Sequence, residues 1–231
     1  MDFSSSYDKV KDSVVNVLAC IDTTPISSGT GTIIGDGNIV ITCAHCIMDN
    51  TKIVARFSGK NNGFEGQVKM INRDIDIAII EFPQKIGTAV RLKDSNTVKI
   101  GNEAFVVGFP NNIDKITALS ANIAGFENGG NIELIRIDCS VNHGNSGGPL
   151  FNAEGELVGV INAKHGSLSN FLKEGQHAKS GGVMMSIGGI DPIRTIQQLI
   201  KEMQNNLNLG IGYAIPINII KQFEEFKELV K

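Results

Sequence analysis

The chain has 231 residues, 42% of them hydrophobic, and a net charge of −3. That length accommodates one large all-β domain or two small lobes with a substantial buried core, and 26 glycines with two tyrosines and no tryptophan suit many short strands joined by tight turns. The charge balance offers no basic stripe for nucleic acid and no polybasic patch for a membrane surface, and no run approaches the ~18 apolar residues of a membrane span, so neither partner is expected.

The chain opens Met1-Asp2-Phe3-Ser4-Ser5-Ser6, with no charged n-region or apolar h-region before the first strand, which predicts a cytoplasmic protein. Apolar alternation and β-branched runs predict strands at Val14 to Cys20, Gly31 to Ile34, Ile39 to Thr42, Lys52 to Phe57, Gly66 to Ile71 and Ile77 to Phe82. A loop with Pro83 and Gly87 follows. A second set is predicted at Glu103 to Gly108, Ile116 to Ala124, Ile132 to Asp138, Pro149 to Phe151, Leu157 to Asn162 and Ile211 to Ile215. At the end of the chain, Asn218 is a candidate cap for a helix over about 218–230, in which Ile219, Ile220, Phe223, Phe226 and Val230 recur at helical spacing. That helix reads most simply as packed on the second set of strands.

Three residues in this order carry chemistry. His45 stands directly after Ile39-Val40-Ile41 and Thr42-Cys43-Ala44, at the end of a core strand, where rigid backbone holds it at the edge of a cleft. Asp76 heads Asp76-Ile77-Ala78-Ile79-Ile80 and is preferred over its rival Asp74, which follows Asn72-Arg73 in a solvated turn. Ser146 lies in Gly144-Asn145-Ser146-Gly147-Gly148-Pro149-Leu150-Phe151. A serine hydroxyl is a poor nucleophile alone and needs a base and donors for the developing oxyanion. The flanking glycines let consecutive N–H groups, those of Gly144 and Ser146, converge on one point. A glycine-rich turn with a chance serine is the plain alternative for this segment taken alone. The order His, Asp, Ser is that of the chymotrypsin arrangement. Among the other histidines, His143 is too near Ser146 in the chain, and His165 and His177 lie in polar, glycine-containing sequence.

The matching pieces bracket nearly the whole chain: Ser13-Val14-Val15-Asn16-Val17, Gly29-Thr30-Gly31-Thr32-Ile33-Ile34, Thr42-Cys43-Ala44-His45, Asp76-Ile77-Ala78-Ile79, Asn142 to Leu150, and Gly212-Tyr213-Ala214-Ile215-Pro216-Ile217-Asn218. On these residues the chain resembles the protease domain of trypsin-like serine proteases of the HtrA (Deg) group. The resemblance implies an all-β fold of two six-stranded antiparallel β-barrels, chymotrypsin-like, with a C-terminal helix and a helical insertion in the second barrel. It implies a single peptidase domain over 1–231, with a first barrel over about 10–90, a second over about 100–216, and no PDZ domain following. His45, Asp76 and Ser146 would be the triad, with Gly144 and Ser146 as oxyanion donors and Asn145 lining the hole. No cofactor is expected, and the partners would be protein or peptide substrates.

The position six residues before the nucleophile, acidic in trypsin relatives, is Ser140, so cleavage after basic residues is not expected; Asp138 reads as a loop cap. The strand ending Ile161-Asn162-Ala163 should wall a pocket for small or medium apolar side chains, with His143 and Lys164 at its rim leaving an acidic preference open. The departure from the family lies at about 164–210, an insertion holding Val183-Met184-Met185 and a helix from Asp191 with the stripe Ile193, Ile196, Leu199, Ile200, Met203 and Leu207. It would either cover exposed sheet or form a lid or docking surface for a regulatory partner. In secreted relatives the cysteine after the histidine pairs with one on the preceding strand, where this chain has Ser28-Gly29-Thr30; the four cysteines are therefore expected as reduced thiols. Cys43, Cys46 and Cys139 with His45 match no zinc spacing, and a metal there would consume the base, so no metal is expected. A second functional reading is a protease-fold binding or scaffold protein, inactive or switched on by a partner.

Overall fold

The computed structural model describes residues 2–110, 114–163, 197–198 and 210–230. The chain divides into a unit of residues 1–165 and 210–231 and a unit of residues 166–209. In the second unit only Gln197 and Gln198 are described, and both are helical. Lys164, His165, His177, the patch Val183-Met184-Met185 and the stripe from Ile193 to Leu207 lie outside the described residues.

Among the described residues, twelve antiparallel strands build the first unit. β1 (Val14–Ile21), β2 (Thr24–Ile34), β3 (Ile39–Thr42), β4 (Lys52–Arg56), β5 (Gly63–Asn72) and β6 (Ile77–Glu81) close into a barrel in the order β1-β2-β3-β6-β5-β4. β7 (Glu103–Gly108), β8 (Thr117–Asn128), β9 (Glu133–Ile137), β10 (Pro149–Asn152), β11 (Leu157–Ile161) and β12 (Gly212–Pro216) close into a second, in the order β10-β11-β12-β9-β8-β7. The expected pair of six-stranded barrels is thus the fold. β2 starts at Thr24, seven residues before its apolar signal, because Thr24 to Ser28 pair with β1 while their side chains stay largely exposed. Backbone pairing on an exposed face leaves no hydrophobic pattern to read.

Alternation explains why some strands look continuously apolar. Along β3, Val40 points into the first barrel with Val15, Val17, Ile33, Ala78 and Ile80. Ile39 and Ile41 point the other way, into a cluster shared with Phe105, Phe151, Leu157 and Ile215 of the second barrel. Both faces are buried, so the run Ile39-Val40-Ile41 shows no polar partner positions. Each such side chain removed from water contributes about 1.5–3 kcal/mol before entropy is counted. A third cluster, with Val106, Ile123, Ile135, Leu150, Val158 and Ile161, fills the second barrel.

Two helical segments at the chain ends pack on this shared cluster. α1 (Ser4–Val10) was not anticipated; the only signal was Phe3, Tyr7 and Val10 at one-turn spacing. Phe3 stacks on Phe105 with ring centroids 4.8 Å apart, and the buried Ser6 hydroxyl donates to the Ala153 carbonyl at 2.7 Å. At the other end the expected single helix is two: α2 (Ile217–Ile220) and α3 (Glu224–Leu229), separated by Phe223 in an extended conformation, φ −73° and ψ 139°. Residues 217 and 226 are about two and a half turns apart, so one straight helix would put them on opposite faces. The break lets Ile217, Ile220 and Phe226 enter the same cluster. Asn218 does not cap; Pro216 occupies that position, and the Asn218 amide instead binds the Asp94 carboxylate and accepts from the Ser95 N–H at 3.4 Å.

Candidate active site

His45 lies in a 3₁₀ turn, Ala44–Cys46, that follows β3 after one extended residue, Cys43. The turn is tied to Asp76 at three points: the Ala44 N–H donates to the Asp76 carbonyl at 3.1 Å, the His45 N–H to Asp76 Oδ1 at 2.9 Å, and His45 Nδ1 lies 2.6 Å from Asp76 Oδ2. Asp76 reaches all three from a left-handed backbone, φ 60°, immediately before β6. Aspartate is among the few residues that visit that region without a large penalty. In the neutral tautomer whose Nδ1–H donates to the carboxylate, Nε2 is the acceptor. The side chains are 21% and 14% exposed, so water competes little for the pair. Asp74, the rival acid, is exposed in the turn. Asn162 adds a donor from the second barrel, Nδ2 to Asp76 Oδ2 at 3.2 Å. Sequence reasoning gave Asn162 to the substrate pocket and missed this contact.

Ser146, 4% exposed, sits in a loop leading into β10. Gly147 donates to the Ile161 carbonyl at 2.8 Å and Gly148 to the Asn145 carbonyl at 2.9 Å. Gly147 takes φ 83°, and a Cβ there would overlap the Thr30 carbonyl and the Thr42 hydroxyl, so this position admits only glycine. Gly144 also has positive φ, 92°. Among the described residues, the N–H groups of Gly144 and Ser146 donate to no acceptor. The Ser146 hydroxyl receives the Ala163 N–H at 3.4 Å, and among the described residues no hydrogen bond joins it to His45.

The remaining predicted positions divide. Ser140 and His143 are exposed, and Ala163 is half-buried beside Ser146. Ile161 turns its side chain into the second-barrel core, while its carbonyl holds Gly147 and accepts from the Cys43 thiol at 3.2 Å. Its carbonyl thereby fixes the loop. Asp138 faces β8: its carboxylate accepts from the side chain and the N–H of Asn122, and those bonds lower its pKa. Asn145 is 1% exposed.

All four cysteines are buried and none is in a disulfide. Cys46 Sγ lies 3.7 Å from the Ser146 carbonyl, and burial raises the Cys139 thiol to about 11. Ligand atoms of Cys43, His45 and Asp76 fall within 4.8 Å of one another. A cation there would displace the imidazole–carboxylate hydrogen bond and the Cys43 contact.

The family described as trypsin-like peptidase domain matches residues 29–160, more than half of the chain. A DegP-like periplasmic serine endoprotease of Pseudomonas putida is 34% identical over 139 residues, covering 58% of this chain and 28% of that protein. HhoA of Synechocystis sp. is 30% identical over 206 residues, covering 81% of this chain and 52% of that protein. The chain thus spans between about a quarter and a half of these relatives. Among solved structures, the HtrA-type protease AlgW with tripeptide superposes with a TM-score of 0.70 at 18% identity, covering 96% of this chain and 62% of that one. The serine endoprotease of Yersinia pestis does so at 0.70 and 21%, covering 100% and 67%. These relatives correct one expectation. The cytoplasmic placement is overturned by curated relatives that are periplasmic endoproteases. Its support was weak, because the start of a chain that spans a fraction of its relatives says nothing about a leader. Among the described residues no helix is long and apolar enough to cross a membrane. By fold, by matched residues and by sequence, the chain belongs to the trypsin-like peptidase domain family and resembles its DegP- and HtrA-type members.

Proposed function

We propose that the chain is a serine endopeptidase in which His45, Asp76 and Ser146 form the triad. The observation that carries this is the His45 Nδ1 to Asp76 Oδ2 contact of 2.6 Å, made next to a buried serine whose loop leaves two N–H groups without acceptors among the described residues. His45 Nε2 takes the Ser146 proton as the hydroxyl oxygen attacks a peptide carbonyl, and the N–H groups of Gly144 and Ser146 hold the oxyanion. The imidazolium gives its proton to the leaving amine, which departs and leaves the acyl-enzyme. Water then attacks, His45 takes its proton, and collapse returns the proton to Ser146. Asp76 stays ionised throughout, orients the ring and stabilises the imidazolium.

The substrates are protein or peptide chains. A serine at Ser140, where an acid would attract Lys or Arg, and an Asp138 carboxylate engaged by Asn122 support cleavage after small or medium apolar residues. Labelling of purified wild type and Ser146→Ala with a fluorophosphonate tests the reading: the wild type should label and the variant should not. A wild type that stays unlabelled alone and with cell lysate added removes it.

A second reading, a latent peptidase gated by a partner, is favoured by one contact. The Ser146 hydroxyl receives the Ala163 N–H and makes no hydrogen bond to His45. In that case labelling requires the added lysate. Catalytic contacts often tighten only when substrate binds, so the preformed enzyme stands first.

A further inference from the structure

We propose that the Thr30 hydroxyl is a positioning group for the oxyanion hole, holding the Gly144 carbonyl on the peptide next to the one that carries the Gly144 N–H. The inference deepens the peptidase reading above and rests on it. Thr30 lies on β2 of the first barrel, in Gly29-Thr30-Gly31, and is fully buried. Its hydroxyl donates to the Gly144 carbonyl at 2.6 Å and accepts from the Phe109 N–H at 3.0 Å, so its direction is fixed from both sides. Its own N–H donates to the Ser146 carbonyl at 2.8 Å, and its carbonyl accepts from the Thr42 hydroxyl at 2.7 Å. Thr42 is three residues before His45, so a continuous chain of bonds runs from the strand bearing the base to the loop bearing the nucleophile.

Planarity of the peptide unit turns these bonds into statements about N–H direction, because fixing a carbonyl fixes the N–H across the same bond. The 144–145 peptide is held at its carbonyl by the Thr30 hydroxyl and at its N–H, which donates to the Asn142 carbonyl at 3.0 Å. The 145–146 peptide, which carries the Ser146 N–H, is held by Gly148 donating to the Asn145 carbonyl at 2.9 Å. The 146–147 peptide is held by the Thr30 N–H. The 143–144 peptide, which carries the Gly144 N–H, has no such anchor: among the described residues nothing donates to the His143 carbonyl. It adjoins glycine at φ 92°, where rotation is least hindered. The nearest fixed point is the 144–145 peptide, and Thr30 supplies its anchor from outside the loop. Ser146 N–H is secured within its own loop, whereas Gly144 N–H adjoins a peptide that the other barrel also holds.

The test uses ¹⁵N-labelled full-length chain as wild type, Thr30→Val and Thr30→Ser, read by amide NMR and by fluorophosphonate labelling rate. The expectation is that Thr30→Val shifts or exchange-broadens the Gly144 amide while the Gly147 amide and the low-field His45 Nδ1 proton stay in place. Its labelling should be about 10- to 100-fold slower, toward the loss seen when an oxyanion donor is removed. Thr30→Ser, which keeps the hydroxyl, should restore both. A folded Thr30→Val with an unmoved Gly144 amide and wild-type labelling overturns the proposal, as does a Thr30→Ser equal to Thr30→Val. If the valine variant does not fold, Thr30→Cys, a weaker donor, takes its place with the same two outcomes. A wild type that never labels sinks the peptidase reading alone, because the amide spectra still decide what Thr30 holds.

Discussion

The two barrels hold their share of the site by opposite means. The first fixes His45 and Asp76 almost entirely from within, by three bonds between the turn Ala44–Cys46 and the residue before β6. The second holds Ser146 in a loop whose anchors include Thr30, Thr42 and Cys46 across the interface. The imidazole–carboxylate pair is a local device, and the Ser146 loop is an interfacial one. Disturbing the packing between barrels should therefore degrade Ser146 and its donors before it degrades the His45–Asp76 pair.

Four experiments break or sharpen that contrast. The largest effect is expected for Ser146→Ala, which removes only the hydroxyl proposed as nucleophile: turnover should fall by about 10⁵- to 10⁶-fold with the thermal transition unchanged. Turnover within tenfold of wild type would dismiss the triad. Asp76→Asn keeps the shape of the local device but presents an amide to the imidazole, and turnover should fall by about 10⁴-fold, measured at saturating casein. A loss under tenfold would mean that His45 is oriented by something other than Asp76. Gly147→Ala attacks the interfacial device, since its Cβ has no room and φ 83° strains any other residue. A stability loss of about 3 kcal/mol is expected in urea titration, together with labelling slower than the stability loss explains. Wild-type labelling in that variant would show that the loop does not need its seat on Thr30 and Thr42.

The smallest effect concerns acid. The Asn122 bonds lower the Asp138 pKa in the folded chain, so this group contributes stability above its unfolded pKa, and that contribution is lost as pH falls through the folded value. Asp138→Asn should flatten the acid limb of stability below about pH 4 and leave neutral pH nearly unchanged, because the group is exposed. An unaltered limb would remove Asp138 from the loop's acid response.

What the sequence disclosed follows from which interactions leave a local pattern. β3 and β6 were legible because burial on both faces forces continuous apolar runs, and His45 and Asp76 because they stand at the ends of those strands. Ser146 was legible because it stands among glycines, of which Gly144 and Gly147 take positive φ. The left-handed backbone at Asp76 was not, since aspartate also stands at many ordinary strand starts. Thr30 was quoted as part of a strand, and a threonine among glycines says nothing of a carbonyl 114 positions away. The break at Phe223 escaped because helical spacing reports one face at a time, and the need for Ile217 and Phe226 to reach the same cluster appears only in three dimensions. α1 offered three apolar residues, too few for a periodic signal.

The shared cluster has a consequence for how the chain reaches its fold. It collects Val10 from α1, Val14, Ile39 and Ile79 from the first barrel, Phe105 and Ile215 from the second, and Ile217, Ile220 and Phe226 from the segment after β12. Neither barrel completes its outer surface until residues from both ends of the sequence arrive, so the closing step spans nearly the full chain. Refolding should then be slow and all-or-none for this unit, with neither half surviving as a separate folded module.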